Sequence, residues 1–200
     1  LGFTRQMYAA TKSVCGDIDE AVEMERGLLD KDPEWLDAVT FNLVCVDLAT
    51  NYMLRGEAVE GGRTTKRGLR RLEYLGSGVG QIYRTLMYAR LAGFAAMQGR
   101  FERADRLIER ALKVGEEVER DRALPWVGTW GFVAFVQQQK GEFDERFEEA
   151  IERHAAFGVE PERSVHQSKH VYLARAYGRL AQCEAGEADG SRRERLREAM

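Results

Sequence analysis

Five glycine turns of one design divide the chain: Gly16-Asp17-Ile18, Gly56-Glu57-Ala58, Gly99-Arg100-Phe101, Gly141-Glu142-Phe143 and Gly186-Glu187-Ala188. In each, glycine is followed by a charged residue and then an apolar one. A glycine just past a helix closes the last turn in the left-handed conformation, the charged residue faces water, and the apolar residue drops back between helices. The turns recur about every 40 to 45 residues, which makes the chain a repeat. The prolines at 33, 125 and 161 and the segment Gly76-Ser77-Gly78-Val79-Gly80 interleave with them. A fixed φ and a missing N–H suit a proline to start a new helix. Between these marks apolar residues return every three to four positions, as in Tyr88, Leu91, Ala92, Ala95 and Ala96, then Phe101, Ala104, Leu107, Ile108, Ala111 and Leu112. The unit is two antiparallel helices. No stretch alternates with period two, so the expected fold class is all-α.

The spacing predicts inner helices at about 2–15, 34–55, 80–98, 125–140 and 164–185, and outer helices at about 17–30, 58–74, 101–121, 143–157 and 190–199. The corresponding repeats span about 1–32, 33–76, 77–123, 124–160 and 161–200. Composition agrees: 200 residues, 44% hydrophobic, are enough for a continuous core, and exclude a disordered tail. A net charge of −3 draws the chain to neither nucleic acid nor an anionic membrane. The apolar run from Phe41 to Leu54 is too short and too often interrupted by Asn42, Asp47 and Asn51 to span a bilayer. Three cysteines, Cys15, Cys45 and Cys183, without metal-like spacing, fit a reducing cytoplasm.

The stretch from Tyr88 to Leu112 resembles the tetratricopeptide repeat. Tyr88 matches its first large aromatic, Leu91-Ala92 its Leu-small pair, Gly99 and Phe101 its turn, and Ala104, Ile108 and Ala111 its outer-helix core. Trp130, Val133, Ala134, Gly141 and Phe143 repeat the pattern, with Arg146 where a small residue is usual, so looser packing is expected there. Tyr8, Ala9, Gly16, Ile18, Ala21 and Leu28 carry it in the first repeat, and Cys45, Leu48, Ala49, Tyr52, Gly56 and Ala58 in the second. The fifth repeat is degenerate around Tyr177-Gly178 and Gly186. The resemblance implies a right-handed superhelical solenoid of about five helix pairs. Repeats longer than the family's unit, the first residue Leu1, and 24 Arg against 6 Lys lead to the expectation of a segment from a bacterial multidomain regulator.

The resemblance also implies a concave face lined by inner helices. Its phases give Leu43, Val46, Asp47 and Thr50, then Leu86, Ala89, Arg90 and Gly93, then Phe132, Phe135, Gln138 and Gln139. Asp47 and Arg90 share a phase in adjacent repeats, and either pair with each other or hold the ends of a bound peptide. The family's best-known groove grips a terminal carboxylate through Lys, Asn and Arg. Only Arg90 matches that set; Gln6, Ala10 and Asp47 replace its other members, so chaperone-tail binding is not expected. The function expected is noncatalytic binding of a protein or peptide, including another domain of the same polypeptide. A sensor of a small peptide or metabolite, using Asp47, Arg90 and Phe135, is the alternative.

No cofactor, metal or reaction is expected. Gly76-Ser77-Gly78-Val79-Gly80 follows a helix and lacks the Lys-Ser/Thr ending of a phosphate loop. His166 and His170 stand one helical turn apart without an evident third ligand, and read more simply as exposed residues at a helix start. The basic stretch Arg63, Lys66, Arg67, Arg70 and Arg71 lacks interleaved aromatics and reads as a solvated face. Glu102 with Arg106, Glu109 with Lys113 and Glu149 with Arg153 are surface pairs at helical spacing.

Overall fold

A computed structural model describes residues 2–31, 33, 36–72, 79–116, 123–158 and 170–184. In order, these form α1 (Gly2–Val14), α2 (Ile18–Lys31), α3 (Ala38–Leu54), α4 (Ala58–Arg71), α5 (Val79–Met97), α6 (Phe101–Glu116), α7 (Ala123–Lys140), α8 (Glu145–Ala155) and α9 (His170–Glu184). Among the described residues there is no strand. The expected helix at 190–199, its turn at Gly186, His166 and the 76–78 segment lie outside the described residues.

The glycine turns set this order. Gly16, Gly56, Gly99 and Gly141 all have positive φ, between 69° and 94°. At the second turn the Gly56 N–H donates to the Met53 carbonyl at 3.1 Å and the Glu57 N–H to the Tyr52 carbonyl at 2.8 Å. The third turn repeats both bonds, from Gly99 to Ala96 and from Arg100 to Ala95. This double closure satisfies carbonyls that a helix end otherwise leaves without partners, and returns the chain antiparallel. Gly158, at φ 64°, follows α8 as a further left-handed glycine outside the five-turn pattern.

Helix starts differ from expectation at three places, one being α7, which begins at Ala123, two residues ahead of Pro125. Asp37 caps α3, its carboxylate accepting the Val39 N–H at 3.0 Å and the Thr40 N–H at 2.9 Å, so the helix begins later than Pro33 implies. Asp144 caps α8 in the same way through the Arg146 and Phe147 N–H groups, which moves that start past Phe143. Each such cap is worth about 1 kcal/mol.

The odd-numbered helices lie in a row: α1 packs on α3, α3 on α5, α5 on α7, and α7 on α9. Each even helix packs on the odd helix before it, and α2, α4 and α6 also pack on the odd helix after, forming the second row. Rings pressed against glycines bring neighbours close. A Cβ at Gly61 of α4 would lie 2.2 Å from the Phe94 ring of α5, one at Gly93 of α5 2.8 Å from Phe132 of α7, and one at Gly178 of α9 2.4 Å from Phe147 of α8. Phe94, Phe132 and Phe147 are all fully buried. Leu91, Ile108 and Trp130 are core, as their phase predicts, whereas Phe101 and Phe143 are half-buried. Arg146 does not open a gap: it reaches toward Asp105 at 3.9 Å while Phe147 and Ala150 fill the interface.

Candidate functional site

Helical phase places the twelve expected groove residues on α3, α5 and α7, but packing sorts them into two groups. Val46, Asp47, Thr50, Ala89, Arg90, Gly93 and Phe132 are buried. Leu43, Leu86, Phe135, Gln138 and Gln139 remain half-exposed. The reason is directional. Asp47 Oδ2 accepts from Gln6 Nε2 on α1 at 2.5 Å, Arg90 donates to the Val46 carbonyl on α3 at 3.0 Å and to the Thr50 hydroxyl, and Phe132 lies against Gly93 on α5. This phase of each odd helix faces the odd helix before it. Asp47, Thr50 and Arg90 are therefore part of the inter-repeat interface.

Asp47 is 0% exposed and Arg90 4%. Burial pulls the Arg90 guanidinium below its ordinary range, and the nearby Asp47 carboxylate opposes that fall. Both charges are thus buried between neighbouring helices, Asp47 bonded to Gln6 and Arg90 to Val46 and Thr50. Arg90 also stacks on the Phe132 ring, 5.5 Å from its centroid. Phe132 in turn meets His170 at a centroid distance of 4.2 Å, and Phe135 meets both rings edge-on. His170 is half-buried in this aromatic group, not exposed at a helix start. Among the described residues no group of three or more His, Cys, Asp or Glu side chains is placed to hold a metal ion.

The sequence reading missed a second polar set between α1, α2 and α3. Ser13 Oγ donates to Asn51 Oδ1 at 2.5 Å, and Asn51 Nδ2 donates to Glu25 Oε2 at 2.9 Å. Glu25 is fully buried among Ala21, Val22, Leu28 and Leu29 of its own helix. Burial, with a smaller push from Asp47, raises its carboxyl from 4.5 to about 8. Its appearance at a core phase of α2 was the available signal, since a charged side chain is rarely placed there without a partner.

The basic stretch on α4 is split. Arg67 donates to Asp30 at 2.8 Å and to the Leu29 carbonyl, and it stacks with Arg71 on Phe41, fastening α4 to α2 and α3. Arg63 and Lys66 stay exposed on the other side. His154 is buried edge-on to Tyr172, its imidazole pulled below the usual range by desolvation and by Arg175. The surface pairs form for Glu149 with Arg153, at 2.8 Å, and loosely for Glu102 with Arg106, at 3.9 Å.

No family model and no curated protein matches the chain. A solved structure does: a Podospora anserina protein described as a kinesin light chain with nearly identical tetratricopeptide-like repeats. It superposes with a TM-score of 0.59 at 17% identity, over 98% of this chain and 92% of that one. No described helix is long and apolar enough to cross a membrane. The turns, the two rows of helices and this superposition agree that the chain has the tetratricopeptide-like repeat fold.

Proposed function

We propose that this protein is a noncatalytic scaffold that binds a peptide or another protein domain along the exposed remainder of its odd-helix row. Folds of this type generally mediate protein contacts. The observation that carries the reading is that Leu43, Leu86, Phe135 and Gln138 stay half-exposed on three successive odd helices, while Asp47, Thr50 and Arg90 of the same set are taken up by packing. An apolar strip with an amide at one end suits an extended or helical segment held by apolar side chains and a few backbone hydrogen bonds.

In the full reading, about five pairs form a right-handed superhelix with this strip on its concave side, inside a cytoplasmic, multidomain bacterial regulator. The regular turns support the first part. The second rests on the Arg-over-Lys bias and the odd cysteine count.

The test is selection of peptide ligands from a random library, followed by anisotropy titration. Phe135→Ala and Leu86→Ala are expected to weaken the selected peptide by about tenfold each, about 1.4 kcal/mol, with the fold intact. Unchanged affinity in both variants removes this strip as the binding face.

A further inference from the structure

A second surface lies on the other row. Between α4, α5 and the start of α6 is a cleft of about 180 Å³, with Leu91, Phe94 and Ala95 as its floor and Val59 at its edge. Its rim is Arg63, Lys66, Arg100 and Arg103. Arg63 is paired with Glu60 at 2.5 Å, while Lys66, Arg100 and Arg103 have no ion-pair partner among the described residues. Val59 is 53% exposed, an apolar side chain left in water inside a ring of cations. The volume is below the ~300–1,000 Å³ of small-molecule pockets, so the cleft suits part of a macromolecular surface better than an enclosed ligand.

The complementary surface is on the same molecule. One side of α8, with its cap Asp144, carries Glu145, Glu149 and Glu152 exposed around an open hollow that Glu148 and one cation, Arg146, also line. Arg153 engages Glu149, but Glu145 and Glu152 have no cationic partner among the described residues. Between these two surfaces in the even row lies the rest of α6, which beyond Arg103 of the cleft holds four acidic and three basic residues. The even row therefore runs from basic at α4 and the start of α6, through a nearly balanced remainder of α6, to acidic at α8. Two copies placed back to back in the same direction oppose like charge with like charge. A two-fold rotation about α6 instead sets α4 against α8 twice, the self-complementary arrangement of a two-fold dimer.

We propose that two copies of the chain pair in this antiparallel way, the cationic cleft of each receiving the acidic side of α8 of the other. Exposed charges contribute about 0–1 kcal/mol per pair, so the dimer is weak and salt-sensitive. It leaves the odd-helix strip open, and this inference and the proposed peptide binding stand or fall separately.

Sedimentation equilibrium tests it. Wild type is expected to dimerise at low salt and to dissociate at about 1 M, where the screening length falls to about 3 Å. Two charge reversals, K66E/R100E/R103E and E145K/E149K/E152K, change only exposed positions. Each alone is expected to self-associate at least about tenfold more weakly than wild type, and an equimolar mixture to recover a 1:1 heterodimer, because one contact then keeps its native signs and the other is restored with the signs swapped. K66Q/R100Q/R103Q serves if a reversal does not fold. Wild type that stays monomeric at low salt, dimers indifferent to both reversals, or a mixture that does not recover pairing overturns the proposal. So does a monomer that binds a polyglutamate peptide through Lys66 and Arg103, which makes an unrelated acidic protein the occupant.

Discussion

Asn51 donates its side-chain amide to Glu25 across the α2–α3 interface, 2.9 Å from a carboxyl with no access to water. The other carboxyl oxygen, Oε1, has no hydrogen-bond partner. The interface therefore holds Glu25 most comfortably with its proton on, which makes the stability of the first repeats depend on pH.

In the folded chain Glu25 titrates near 8, against 4.5 ordinarily. Between those values the native state keeps a proton that the unfolded chain has lost, so this group's contribution to stability falls as pH rises from 4.5 through about 8, and is level above. Glu25→Gln is expected to remove this slope and to raise the melting temperature at pH above 8, while changing little near pH 4.5. Thermal melts of the two proteins across that range check it. Parallel curves contradict the assignment.

Gly61 and Gly62 make a matched pair on α4. An added Cβ meets the Phe94 ring at 2.2 Å in the first case and only Phe94 Cβ at 3.8 Å in the second. Gly61→Ala is expected to force α4 and α5 apart and to cost about 1–3 kcal/mol. Gly62→Ala should gain about 0.5–1 kcal/mol through helix propensity. Urea denaturation of both measures the contrast.

At Gly99, φ is +69° and an added Cβ meets nothing within 4 Å, so only backbone conformation is at stake. Gly99→Ala is expected to cost about 1–2 kcal/mol, and Gly99→Asn less, because asparagine tolerates the left-handed region better. Equal losses contradict the reading of these turns.

Much of the architecture was legible because it depends on local chemistry. Four of the turns at Gly16, Gly56, Gly99 and Gly141 needed left-handed glycine, and helical spacing identified Leu91, Ile108 and Trp130 as core. The groove was less legible. Spacing fixes which side of α3 holds Asp47 and which side of α5 holds Arg90, but not which neighbour covers that side, and both turn toward the preceding odd helix. Glu25 and Asn51 were invisible as a pair because they lie 26 residues apart and meet only through packing. Phe135 and Gln138 stay half-exposed, although the Phe135 ring meets Phe132 and His170 and Gln138 accepts from Gln139.

Asp47 and Arg90 give a further expectation. Arg90→Met leaves the Asp47 carboxylate buried without its neighbouring cation, and should cost about 3–5 kcal/mol. Asp47→Asn should also destabilise, and the double variant should lose less than the two losses added. Additive losses in a double-mutant cycle indicate that the two do not couple.

The central claim, that the half-exposed strip on the odd helices is the binding face, is most directly tested by methyl NMR of the chain titrated with a selected peptide. The account predicts shifts at the Leu43 and Leu86 methyls with the Val59 methyls unmoved. Shifts confined to Val59, or to residues of the even helices, contradict it.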